Sequence, residues 1–227
     1  MPTALKNILR KFVPEFLLKE RRIVQGLGPL AGRTYATLRL CDAIGIKSFN
    51  RALMPVPCHS LVFVCFGNIM RSPMAEALMK RALTEAGLEQ QIKVASAGLH
   101  AVRGGEAHPW AVEASAGMGI SLIHHRATPL TQEIVRQADC IFAMDFQNKA
   151  ELLTLYQEAR HKICMLGAYA KGPQQYREIP DPYLGDLNTT KCCFRELQTC
   201  IRNLMASFSS VSGTNRNKQN CRAAELH

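Results

Sequence analysis

Four short apolar runs recur along the chain: Leu61 to Cys65, Lys93 to Ala97, Cys140 to Met144 and Lys162 to Leu166. Each is separated from the next by a stretch with helical spacing. Runs this short and this continuously apolar suit strands buried on both faces, and intervening helices supply the crossovers that parallel strands need. The fold class expected is therefore α/β, a four-stranded parallel sheet flanked by helices on both faces, with a helical N-terminal extension.

The helices carry their own punctuation. Ser72 is expected as an N-cap with Pro73 as first helical residue, followed by Met74, Leu78 and Ala82 or Leu83 at helical spacing until Gly87 stops the run. Pro109 opens a segment ending by Gly117 or Gly119, and Gln132 to Ala138 and Lys149 to Tyr156 read as further helices. Phe194, Leu197, Ile201, Leu204 and Met205 mark a last amphipathic helix from about Lys191 to Phe208.

Pro55 and Pro57 punctuate the chain just before the first apolar run. The expected division is a basic helical extension over 1–57, the α/β domain over 58–208 and a polar tail over 209–227 expected to be disordered. Residues 1–57 hold ten Lys and Arg against three Asp and Glu, leaving 18 against 15 for the rest, so most of the net charge of +10 lies in the first quarter. That extension has no aromatic-rich sheet or recognition helix, so its charge supports no specific nucleic-acid binding. Leu5, Ile8, Leu9, Phe12, Phe16 and Leu17 fall near one face around a kink at Pro14. The stripe suits packing on the protein's own core, with peripheral contact to an anionic membrane as the alternative.

The longest apolar runs are far below the roughly 20 residues a membrane-spanning helix needs, and the N-terminus lacks the apolar core of a signal peptide. Nine cysteines, an odd number, make neither a zinc pattern nor a regular disulfide framework. A reducing, cytoplasmic setting is expected, with no metal and no cofactor.

At the end of the first apolar run, FVCFGNIMRSPMAEAL places Cys65 where a strand meets a turn, Phe66 to Met70 in the turn, and Arg71 at the mouth of a helix. A helix N-terminus offers unpaired N–H groups and the positive end of a dipole, which makes the turn an anion cradle and favours a thiolate over a thiol. Arg71 adds a planar fork matched to phosphate oxygens. Gly67 permits close backbone approach, and Asn68 tolerates the left-handed conformation such loops use. A Walker loop would need a second glycine followed by lysine, and neither is present.

The full string CFGNIMRSPMAEA resembles the signature of the low-molecular-weight protein tyrosine phosphatases. So do SAG at Ser96 to Gly98, HRA at His125 to Ala127, AMD at Ala143 to Asp145 and DPY at Asp181 to Tyr183, in the family's order over about residues 60–207. The resemblance implies that Cys65 is the nucleophile forming a phosphocysteine, that Arg71 holds the transferring phosphoryl group, and that Ser72 hydrogen-bonds the thiolate. It implies Asp181 as general acid and then base, a residue that would read as a plain turn if PDPY stood alone. Phe66, Gly67, Asn68, Ile69 and Met70 would line the phosphate site, Tyr183 the aromatic wall, and Ser96 and His125 the supporting shell. His108, His124 and His161 read as surface residues, and Asp145 as a structural carboxylate.

The departures are informative. Met70 stands where many members carry a second cysteine, so no loop disulfide can guard Cys65 and peroxide is expected to inactivate the protein without one. Leu184 stands where some members carry a second aromatic. Protein-arginine phosphatases carry threonine where this chain has Ile69, and arsenate reductases on this fold use redox cysteines in a mobile segment, whereas Cys140 and Cys164 fall on expected strands. Phosphotyrosine proteins, with a tyrosine kinase among them, are the partners the resemblance favours; a non-catalytic phosphate-binding scaffold is the alternative of another class.

Overall fold

Side chains alternate along the first strand, Leu61, Phe63 and Cys65 to one face and Val62 and Val64 to the other, and all five are buried. A strand buried on both faces demands a layer above and a layer below, and the computed structural model, which describes residues 15–46, 57–170 and 178–224, shows both. In chain order the elements are α1 (Glu15–Gly26), α2 (Gly28–Ala43), β1 (Ser60–Cys65), α3 (Arg71–Glu85), β2 (Lys93–Gly98), α4 (Pro109–Ala116), α5 (Gln132–Gln137), β3 (Cys140–Ala143), α6 (Phe146–Leu155), β4 (Ile163–Met165) and α7 (Leu187–Ala224). The strands pair in parallel in the order β2-β1-β3-β4. One core, under α3, α4 and α7, gathers Phe63, Met74, Leu78, Phe142 and Phe194; the other, under α2, α5 and α6, gathers Val62, Val64, Val135, Ile141 and Phe146. The four expected strands and the four-stranded parallel sheet are thus present.

The bounds of three helices differ from expectation. α3 starts at Arg71 with Met70 as its N-cap, because the Ser72 hydroxyl is turned into the loop toward Cys65 rather than back onto the helix amides. α6 starts earlier than Lys149, at Phe146, because the Asp145 carboxylate accepts from Asn148 N–H at 2.7 Å and caps it. α7 starts at Leu187, before the expected Lys191, and continues past Phe208 to Ala224, the side chains from 209 onward lying outside the described residues.

Part of the N-terminal extension belongs to the domain's own core. Ala31, Tyr35 and Leu38 of α2 are buried, and Tyr35 and Leu38 join the cluster of α6, with Ile23 and Val24 of α1 packed against it. The stripe from Leu5 to Leu17 involves side chains outside the described residues. No helix among the described residues is long and apolar enough to cross a membrane.

One buried charge tests this packing. Lys149 on α6 is 3% exposed, and burial pushes its pKa from 10.5 down to about 8. Below pH 8 both folded and unfolded chains hold the proton, and the folded chain bears the full desolvation cost. Between pH 8 and 10.5 the unfolded chain binds a proton that the folded chain lacks, so stability rises with pH. Urea unfolding of wild type and Lys149→Met is expected to show the difference moving toward the wild type by about 2 kcal/mol between pH 7 and pH 10. A pH-independent difference would contradict the assignment.

Candidate active site

In a sheet of order 2-1-3-4, the connections leaving β1 and β3 run in opposite directions, which opens a crevice at the C-terminal ends of those two strands. Cys65 is the last residue of β1, and α3 begins six residues later, so the loop between them lies in that crevice. Cys65 Sγ lies 2.9 Å from Ser72 Oγ, and Asn68 N–H donates to it at 3.3 Å. Every group on the sulfur in this set is or can be a donor.

Asn68 organises the loop. Its φ of 54° is left-handed, as expected of an asparagine here. Its Nδ2 donates to Ser72 Oγ and Ser96 Oγ, each at 2.9 Å, and its Oδ1 accepts from Thr128 N–H at 2.8 Å. His125 Nε2 lies 2.7 Å from Asn68 O, and Ser96 donates onward to Glu76. Ser96 and His125, singled out from the sequence, thus both contact Asn68, while Thr128 and Glu76 were missed. Thr128 acts through its backbone, which leaves no side-chain signal to find.

Arg71 is 2% exposed, yet it is charged. Burial opposes that charge, but Asp145, Asp181 and Cys65 outweigh it and raise its pKa. Nη1 donates to Asp145 at 2.6 Å and to Ile179 O at 3.0 Å, and Nη2 donates to Asp181 at 2.7 Å. Asp145 thus aims the guanidinium while capping α6, in keeping with a structural carboxylate. Asp181 is far more exposed than Asp145, and its second oxygen accepts from Tyr183 N–H at 3.2 Å.

These groups converge on a cleft of ≈ 400 Å³ walled by Phe66, Ile69, Met70, Val102 and Tyr183, with Cys65 and Arg71 at its floor and Asp181 at its side. Phe66 stacks on His100 at 4.5 Å, and Tyr183 meets His108 edge-on at 5.7 Å. His108 is consequently no plain surface residue: it caps α4, accepting from Trp110 N–H, and buttresses Tyr183. Leu184 is 94% exposed and does not line this cleft. A second cleft, of ≈ 900 Å³, shares Phe66, Asp181 and Tyr183 and is lined on its far side by Lys19, Ile23 and Arg39 from α1 and α2.

The packing demands glycine at 98 rather than at 67. A Cβ on Gly67 would meet Ile69 at an ordinary 3.5 Å, so what that residue keeps open is the cleft itself. A Cβ on Gly98 would stand 2.8 Å from both Asn68 N and Phe66 O, backbone atoms of the loop. Gly98→Ala is expected to displace the loop, lowering kcat/KM by about 10²-fold and stability by about 1–3 kcal/mol. Steady-state kinetics and thermal melts check this; unchanged kinetics would show that the loop does not rest on the end of β2.

Among the described residues no cluster of three or more His, Cys, Asp or Glu side chains could hold a metal. A buried sulfur with donors around it, a buried guanidinium and a carboxylate at the rim can hold a tetrahedral oxyanion, attack it and move a proton.

Comparison with known proteins gives the same picture. The family model for low molecular weight phosphotyrosine protein phosphatase matches residues 60–216. A protein-arginine-phosphatase of Bacillus subtilis (strain 168) is 38% identical over 144 residues, 63% of this chain and 93% of the relative. The low molecular weight protein-tyrosine-phosphatase Etp of Escherichia coli (strain K12) is 35% identical over 125 residues, 55% of this chain and 78% of the relative. Among solved structures, the Erwinia amylovora tyrosine phosphatase amsI superposes with a TM-score of 0.61 at 29% identity, covering 70% of this chain and 98% of its own. With the matched segment spanning the sheet, the Cys65 loop and Asp181, the chain belongs to the low molecular weight phosphotyrosine protein phosphatase family.

Proposed function

We propose that the protein hydrolyses phosphotyrosine in proteins through a phosphocysteine intermediate. The observation that carries this reading is the convergence of Cys65, Arg71 and Asp181 on one cleft with aromatic and apolar walls. Cys65 attacks phosphorus in line with the leaving oxygen, forming the S–P bond as the O–P bond breaks. Both Arg71 Nη groups are already held by carboxylates, so phosphate oxygens take the fork over from Asp181, and the released carboxylate takes up a proton from solvent and is placed to give it to the leaving phenolate. Tyrosine needs that proton, since its pKa is about 10. Asp181, now a carboxylate, takes a proton from water as the water attacks the phosphocysteine, and Ser72 stabilises the departing thiolate.

The relatives include both tyrosine and arginine phosphatases. Ile69 at the cleft favours the former: it offers a phosphoguanidinium no hydrogen-bond partner, while an aromatic ring packs on it and on Tyr183. Phosphotyrosine-containing proteins, a tyrosine kinase among them, are the proposed partners and the cytoplasm the proposed location; the relatives named as tyrosine phosphatases support the substrate class. Turnover of phosphotyrosine peptides, phosphoarginine and arsenate by the wild type is the test. Phosphotyrosine is expected to lead, with Asp181→Asn lowering its kcat/KM by about 10²–10⁴-fold; turnover of phosphoarginine in preference to phosphotyrosine, or of neither, would overturn the proposal.

A further inference from the structure

Arg39 lies upstream of the residues matched by the family model, yet it reaches the segment that carries Asp181. Its Nη1 meets Glu178 at 2.8 Å, three positions before the general acid. Its Nε donates to Tyr35 Oη at 2.9 Å and lies 3.4 Å from Glu20, and its guanidinium carbon sits 5.3 Å from each of the Tyr35 and Phe146 ring centroids. The guanidinium is thus fixed by two rings, a hydroxyl and two carboxylates, drawn from α1, α2 and α6 as well as the acid segment.

Glu178 is tied in two directions. One oxygen takes the Arg39 ion pair, and the other accepts from Phe146 N–H at 2.7 Å, at the start of α6. Beyond it, Ile179 is 2% exposed, donates its N–H to Met144 O at 2.8 Å and offers its carbonyl to Arg71. Only Pro180 then separates this anchor from Asp181, whose side chain is nearly half exposed and is held by Arg71 and its own turn. The placement of Asp181 therefore depends on where Glu178 is pinned.

Accordingly, we propose that Arg39 is a positioning residue for the general acid, so that the N-terminal helices form part of the catalytic apparatus by fixing Glu178 and through it Asp181. The inference rests on the reading of Asp181 as general acid, and the experiment separates the two. Phenyl phosphate has a leaving group that must be protonated, whereas 2,4-dinitrophenyl phosphate has a phenol acidic enough to leave as the anion. Both are measured with wild type, Arg39→Ala, Arg39→Lys, Glu178→Gln, Asp181→Asn and the Arg39→Ala/Asp181→Asn double variant.

Arg39→Ala is expected to lower kcat/KM about 10–100-fold for phenyl phosphate and less than about 3-fold for the dinitrophenyl ester. Arg39→Lys should recover part of the loss, and Glu178→Gln should reproduce the selective loss from the other side of the ion pair, which keeps the test open should Arg39→Ala fail to fold. In the Asp181→Asn background the Arg39 change should cost nothing more, because both act on one proton transfer. Equal losses on both esters, or losses that add in the double variant, would overturn the proposal. A wild type with no activity on either ester, or an Asp181→Asn without leaving-group selectivity, would instead sink the functional reading on which it rests.

Discussion

Replacing Cys65 by serine is expected to abolish turnover, with a loss on the order of 10⁵–10⁶-fold in kcat. The site meets the sulfur with Asn68 N–H and the Ser72 hydroxyl, and among the described residues no histidine or carboxylate is hydrogen-bonded to Sγ to act as a base. A thiol needs only modest help to ionise, whereas an alcohol needs a base that this loop does not hold. A serine that did accept the phosphoryl group would retain it as an ordinary monoester, since an alkoxide leaves poorly, so the second step fails even if the first proceeds. The cradle of backbone amides and Arg71 is untouched, so Cys65→Ser should bind inorganic phosphate within a few-fold of wild type and melt at the same temperature. Kinetics with p-nitrophenyl phosphate alongside a phosphate-induced thermal shift would check both halves; turnover within tenfold of wild type would remove Cys65 from the mechanism.

Much of this was legible in the sequence because the physical signals are local. A both-face-buried strand shows as an unbroken apolar run, and LVFVC, CIFAM and KICML were readable for that reason. The strand, turn and helix around Cys65 lie within one continuous stretch, so the cradle could be inferred from spacing. What spacing could not show is contact between distant segments. Ser72 looked like a helix cap because Ser-Pro opens many helices, but long-range packing turned its hydroxyl toward Cys65 and Asn68. Gly98 entered only as the last residue of SAG, and nothing in its spacing gave a physical reason for glycine there until the loop was seen crossing above it. Tyr35, Arg39 and Glu178 stand up to 143 positions apart in number, and nothing in the basic run of residues 1–57 announced that one of its arginines closes over the acid segment.

Arg71→Lys is the second large effect, expected at about 10³-fold or more in kcat, even though the positive charge is kept. Lysine is a point charge on a flexible stem and cannot present two parallel N–H groups to two phosphate oxygens. It also cannot serve Asp145, Ile179 O and the incoming phosphate in the geometry now shared by Nη1 and Nη2. At 2% exposure the lost contacts are not replaced by water, so about 1–3 kcal/mol of stability should go with them. The decisive comparison is between ground state and transition state. Charge is conserved, so phosphate affinity should weaken less than kcat falls, because the fork acts on the planar, charge-spread phosphoryl group more than on the resting ester. Single-turnover kinetics with p-nitrophenyl phosphate, beside inorganic phosphate as competitive inhibitor, separate the two. Parallel losses in both would make Arg71 a binding residue alone, and retention of kcat within tenfold would show that charge, not the fork, is what the chemistry needs.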